Sequence, residues 1–382
     1  MTKPVLHVFV SPCSGGKFPI QLAMIAEYTE ILRYIRGYEV SSIDDFIPHI
    51  CLGSSGGNIA NYIALASGWT KNGIFNIIQY LDSEMFSRNW WPKYMTFLPT
   101  WLLGLFKGSI YCPGYGPYPL FEDVFRGRKI ESVEIWSGTY NTTRSSCELF
   151  CNKSSGSTLI SSQTFLPNIN RCMPLHFLDN DLKTVSDVAI ASASIPIIFE
   201  KKQIGDDHYE DGGVIFSSPL LPLQEEIYKI TMGIAIPTTI DVHLSTYPFY
   251  VDPGRIPLSE RRSEQRTLHL IYFSSDNVDT QKASGITGTI IQLIDTISVL
   301  DRNSGIDIIV RLAGGNKADV GLVSGNLSEL QSAMAEHKTD HYFLYLYCNE
   351  EIEVDMTSFT GKDAVKIMEK SKDGIFFNLF FV

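Results

Sequence analysis

The chain has 382 residues, is 44% hydrophobic and carries a formal net charge of −11, which suits a large buried core and excludes the disordered class. Phosphate backbones need concentrated Lys and Arg, and no basic run longer than a few residues occurs, so nucleic acid is not an expected partner. No stretch approaches the roughly 20 apolar residues of a membrane span, and the most apolar segment, Phe97 to Phe106, is about half that length.

Met1 to Val10 is too short and too mixed for a secretory leader. Pro4 to Val10 (PVLHVFV) reads instead as a buried strand ended by Ser-Pro, and Cys13 to Gly16 as a small-residue turn. Pro19 to Ile35 has helical periodicity, with Pro19 suited to a first turn. Ile47 to Leu52 is a second apolar strand, Gly53 to Gly57 a turn, and Asn58 to Ala66 a buried helix. Strand, glycine turn and helix, twice over, open an α/β sheet with parallel strands. Trp90 to Phe106 is dense in aromatics and precedes an irregular loop, Cys112 to Pro119. This segment suits either a helix packed on the sheet or a membrane-facing patch. Two or three strands follow within 132 to 178, then a helix over Val185 to Ala193 and a turn with a strand edge over His208 to Ile215. Leu268 to Phe273, Ile306 to Leu312 and Tyr342 to Tyr347 read as strands, Thr287 to Leu300 and Lys362 to Lys372 as helices. With no repeat or linker, residues 1–382 are expected to form one domain.

Seven cysteines, an odd number with no regular framework, point to reduced thiols and a cytoplasmic location. Cys147 and Cys151 lack the partners of a zinc site, and no Asp-rich calcium loop is present, so neither metal nor cofactor is expected.

Three motifs carry chemistry. Gly53-Ser54-Ser55-Gly56-Gly57 is a G-x-S-x-G between an apolar strand and a helical pattern. A serine hydroxyl is a poor nucleophile unless a sharp strand-to-helix turn exposes it beside a base and oxyanion donors. The pentapeptide alone suits a plain helix-capping turn equally well. Cys13-Ser14-Gly15-Gly16-Lys17 follows the first strand, and successive amides in such a turn can form an oxyanion hole. It is no P-loop, because Phe18 follows Lys17 and Ser11 stands where the earlier glycine belongs. Tyr209-Glu210-Asp211-Gly212-Gly213 places a carboxylate on a tight turn; it suits a general base or an ordinary Asp-Gly hairpin.

In this order the three motifs resemble those of the patatin-like phospholipase family. Ala191-Ser192-Ala193-Ser194-Ile195-Pro196 and Ser218-Pro219-Leu220 resemble the blocks that flank the family's D-G-G. The resemblance implies a three-layer α/β/α sandwich with a mostly parallel central sheet. It implies a lipid acyl hydrolase of the phospholipase A or acylglycerol lipase type, with a lipid or phospholipid substrate, peripheral membrane contact and no cofactor. Ser55 matches the nucleophile, Asp211 the base, and Ser14, Gly15, Gly16 and Gly56 the oxyanion hole, with Lys17 the basic residue after the loop. Cys13 and Ser14 stand where the family has glycines, and Phe18 replaces a third. An acyltransferase would use the same dyad, and a relative with an impaired oxyanion loop would bind lipid without catalysis. A Ser-His-Asp triad in the order Ser55, Asp211, His243 is the rival arrangement, and His208 is the histidine nearest the D-G-G motif.

Overall fold

A computed structural model describes residues 5–35, 48–81, 124–127, 130–153, 174–178, 182–196, 199–215, 217–220, 223, 227, 267–275, 303, 305–306, 321–336, 340–350, 352 and 361–381. The aromatic segment 90–106, the loop 112–119, the helix expected over 287–300 and His243 lie outside the described residues.

The first half-turns of the chain follow the sequence pattern. β1 (Val5–Ser11) is an apolar run apart from His7 and the terminal Ser11, as suits a strand buried on both faces. A 3-10 turn at Gly15–Lys17 leads into α1 (Phe18–Ile35). β2 (Ile50–Gly53) and α2 (Ser55–Ala66) repeat the unit, and α3 (Lys71–Leu81) follows. α2 begins at Ser55, so Gly56 and Gly57 lie in its first turn, earlier than the periodicity alone predicts. Helix propensity disfavours two glycines there, but the contacts described below leave no room for side chains.

Next come β3 (Glu134–Asn141), β4 (Ser146–Cys151), β5 (Leu175–Phe177) and α4 (Leu182–Ser192). β6 (Lys202–Ile204) and β7 (Asp207–Asp211) form a hairpin that ends in a 3-10 turn at Gly212–Val214. β8 (Thr267–Phe273), β9 (Gly321–Asn326), α5 (Leu327–Glu336), β10 (Tyr342–Cys348), α6 (Gly361–Asp373) and β11 (Ile375–Phe381) complete the described elements. The sequence reading did not single out α3, β9, α5 or β11. Ile306, expected at the start of a strand, is helical.

The strands form one sheet in the order β5-β4-β3-β2-β1-β8-β10-β11-β9. Its centre, from β3 to β10, is parallel throughout, and antiparallel pairs at β3–β4, β10–β11 and β11–β9 extend it on both sides. Alternate residues of each strand point to opposite faces, and both faces are covered. Phe9, Cys51, Ile135, Ile271 and Leu344 pack with the buried faces of the six helices. Val8, Val10, Leu52, Trp136 and Tyr272 pack on the opposite side against Leu220, Leu223 and Ile227. The result is the expected α/β/α layering around a mixed sheet with a parallel core. At its centre Phe9 meets Phe273, Tyr28 and Trp69 edge-on, with ring centroids 5.2, 5.6 and 5.7 Å away. Among the described residues no helix is long and apolar enough to cross a membrane.

Candidate active site

Parallel packing brings the C-terminal ends of β1 and β2 side by side, with Ser11 level with Gly53. The turn after β1 and the start of α2 therefore leave the sheet together. A Cβ on Gly57 would collide with the carbonyl oxygens of Ser11 and Pro12, and one on Gly56 with the carbonyl oxygen of Gly15. The two glycines are thus what lets the helix and the loop touch backbone to backbone.

The chain turns from β2 into α2 at Ser54 and Ser55. Ser54 is extended, with φ −146° and ψ 161°, while Ser55 is left-handed, with φ 54°. It is one of three non-glycine residues with positive φ among those described; Trp69 and Ser145 lie in the connections after α2 and between β3 and β4. That conformation costs an L-residue about 1–2 kcal/mol, and it makes this turn a strained strand-to-helix elbow.

Ser54 occupies the N-cap position of α2 without capping it; its hydroxyl donates to the carbonyl oxygen of Ser217 at 2.8 Å. The first intrahelical bond runs from the amide of Asn58 to Ser54 at 3.3 Å. The amides of Gly56 and Gly57, in the first turn, have no intrahelical partner, and they stand at the positive end of the helix dipole. Ser217 also accepts from the Cys13 amide, through its carbonyl at 2.8 Å and its hydroxyl at 3.0 Å. Ser217, four residues past the D-G-G motif, thereby ties the loop behind β1 to the elbow behind β2.

Asp211 closes β7. That strand pairs with β3 beyond the end of β2, so Asp211 stands level with Thr139. Its amide donates to the Ser194 carbonyl at 2.9 Å, and Ser192 Oγ donates to the Gly138 carbonyl at 2.7 Å. The Ala191–Pro196 block thus anchors the acid physically. Asp211 Oδ1 accepts from the Gly213 amide at 2.7 Å, and a Cβ on Gly213 would collide with the Cys13 sulfur. The D-G-G turn therefore rests on the glycine loop itself.

Ser55 and Asp211 are both completely buried. The Ser55 hydroxyl is close enough to act on the Asp211 carboxyl, yet the pair lies outside strict hydrogen-bond geometry, since among the described residues neither Ser55 Oγ nor Asp211 Oδ2 has a bonded partner. Burial pushes the Asp211 carboxyl up from 3.8 to about 7, against the lowering effect of Ser55 and of the Gly213 amide. Catalytic hydrogen bonds are often loose without substrate and tighten only when it binds.

Behind Asp211 lies a second carboxylate, which the sequence reading missed. Glu148, in β4, is level with Thr139 from the other side and fully buried. Its oxygens accept from Asn141 Nδ2 (2.9 Å), Ser146 Oγ (2.9 Å) and Tyr209 Oη (3.0 Å), and pair with His176 Nε2 (2.7 Å). Burial raises its pKa, but the bonds from His176, Ser146 and Tyr209 outweigh that and hold the carboxyl below its ordinary value. Tyr209 is two residues before Asp211 on the same strand, so this network pins β7 in place. His208 is exposed, unlike Ser55 and Asp211. Among the described residues no group of three or more His, Cys, Asp or Glu side chains is placed to hold a metal ion.

A strained serine on a strand-to-helix elbow, backed by a buried carboxylate on a three-layer α/β/α scaffold, belongs to the class of folds that host acyl-transfer chemistry. The patatin-like phospholipase family model matches residues 30–223, about half of the chain. The chain belongs to this family, whose members are lipid hydrolases acting on esters. The match spans the elbow and the D-G-G turn and begins inside α1, beyond the glycine loop. No curated protein matches the chain.

Two stability predictions follow from this geometry. Left-handed φ favours glycine over alanine, so Ser55→Gly should be more stable than Ser55→Ala by about 1 kcal/mol in denaturant unfolding; equal stability would mean that the elbow relaxes. Because the folded state raises the Asp211 pKa, it binds the proton more tightly than the unfolded chain does. This group's contribution is full below pH 3.8 and is lost as pH rises to about 7. The Tm difference between Asp211→Asn and wild type should therefore grow in the variant's favour across that window and level off above it.

Proposed function

We propose that the protein is a serine lipid acyl hydrolase working through a Ser55–Asp211 dyad. The observation that carries the proposal is the pairing of a left-handed, buried Ser55 with a buried Asp211 whose pKa stands at about 7. A carboxylate with a pKa near neutrality is a far better proton acceptor than an ordinary one, and it is still ionised in a useful fraction at neutral pH.

Ser55 Oγ attacks the ester carbonyl carbon while its proton passes to Asp211 Oδ2. The carbonyl π bond opens to an oxyanion, held by the amides of Ser14, Gly15, Gly16 and Gly56. Among the described residues the amides of Ser14, Gly15 and Gly16 donate to no backbone group in loops or turns, which supports that role. Each such donor is worth on the order of 3 kcal/mol in the transition state. The oxyanion collapses, the ester C–O bond breaks, and the departing alcohol takes the proton from Asp211. A water then gives its proton to Asp211 and attacks the acyl-enzyme; collapse releases the fatty acid and returns the proton to Ser55. We propose glycerophospholipids or neutral acylglycerols as substrates, met at a membrane surface by a single domain of 382 residues.

Hydrolysis of a short-chain nitrophenyl ester and of a labelled phospholipid should fall by about 10³-fold or more in Ser55→Ala and in Asp211→Asn. Wild-type inactivity on both esters, with no labelling by a fluorophosphonate, would instead make the chain a non-catalytic lipid binder. Transfer of the acyl group to an added alcohol in preference to water would make it an acyltransferase.

A further inference from the structure

Gln21 lies in an otherwise apolar run of α1 (Pro19 to Ala26, PIQLAMIA) and is completely buried. Its carboxamide serves the loop behind β1. Nε2 donates to the Pro12 carbonyl at 2.8 Å and to the Phe273 carbonyl, at the end of β8, at 3.1 Å. Oε1 accepts from Ser14 Oγ at 2.6 Å. Both donors and the acceptor are committed, which fixes the amide orientation, since the flipped amide would set its oxygen against two carbonyl oxygens. A buried polar group stripped of such partners is costly, so α1, the loop and β8 are locked into one arrangement.

The loop that Gln21 grips is the one that departs from the family pattern at Cys13 and Ser14. The Cys13 amide is committed to Ser217. The single hydroxyl proton of Ser14 is committed to Gln21, so the hydroxyl has none left for an oxyanion and only the amide remains. Ser14 Oγ also lies against the elbow, 2.8 Å from where a Cβ on Gly56 would stand. The aim of the Ser14, Gly15 and Gly16 amides is therefore set by where residues 12–14 sit, and Gln21 holds that stretch at both ends.

We propose that Gln21, with the Ser14 hydroxyl as its partner, is the positioning residue of the oxyanion loop. It supplies by side-chain hydrogen bonds the loop geometry that glycines supply elsewhere in the family. The inference rests on the Ser55–Asp211 reading and deepens it.

The test compares wild type, Gln21→Met, Ser14→Ala and the double variant. The kcat and KM for a nitrophenyl ester are measured per active site, with sites counted by fluorophosphonate labelling taken to completion. Counting sites removes any loss that comes from misfolding alone, and Ser14→Ala deletes one oxygen and keeps the test alive if Gln21→Met does not fold. The expected result is a drop in kcat per labelled site of about 10²-fold for Gln21→Met and about 10-fold for Ser14→Ala, with KM nearly unchanged. The affinity of a trifluoromethyl ketone, which forms an oxyanion on the serine, should fall in parallel. The double variant should be little worse than Gln21→Met, since the two residues share one contact. A kcat per labelled site within about twofold of wild type, even with a lowered Tm, overturns the inference while leaving the dyad standing. A wild type that neither turns over nor labels overturns both.

Discussion

Three pieces of chain meet at the ends of β1 and β2 across glycines that leave no room for a Cβ, and the rest of the site depends on that contact. Gly57 abuts Ser11 and Pro12, Gly56 abuts Gly15, and Gly213 abuts Cys13. Any Cβ at these points would push the elbow, the loop and the D-G-G turn apart. Packing of this kind gains little hydrophobic energy, so the surroundings must hold it. Ser217 does so from one side, through Cys13 and Ser54, and Gln21 from the other, through Pro12 and Ser14. The parallel strands below, packed on both faces, are the rigid base from which all three pieces project.

That arrangement is costly to the folded state. Ser55 is held left-handed, the Asp211 carboxyl is buried with one oxygen unbonded, and the N-cap serine of α2 is diverted from its helix. A sequence optimised for stability alone would cap α2, neutralise position 211 and put glycine at 55. Several local rules are broken together at this one place, which is where function is expected to sit. The Glu148 network shows the contrast: its carboxylate is also closed to solvent but less deeply buried and has four hydrogen-bonding partners, and its pKa falls where that of Asp211 rises. The two carboxylates differ in depth of burial and in the number of donors, and both differences push their pKa values apart.

Much of the scaffold was legible because short apolar runs ended by Ser-Pro or Gly leave few choices; β1, α1, β2, β8 and β10 stand close to where periodicity puts them. The start of α2 was not, because glycine in a first helical turn makes sense only once the loop pressed against it is known. The antiparallel margin at β9 was missed for a different reason. β9 (GLVSGN) has too few apolar residues to announce a strand and is held by its pairing with β11. In the site, Ser55 and Asp211 showed through local motifs. Ser217 and Gln21 did not, since they act across 204 and 252 residues of sequence, on Cys13 and Phe273. The one local hint was a glutamine in the apolar face of α1.

The proposed mechanism requires burial to turn Asp211 into a base poised near neutrality for Ser55. The most direct measurement is the rate of fluorophosphonate labelling of Ser55 as a function of pH. The rate should rise with a single inflection near the Asp211 pKa of about 7, stay flat above it, and be abolished in Asp211→Asn. Labelling that persists in Asp211→Asn, or an inflection at the ordinary carboxylate value with no feature near neutrality, would contradict it.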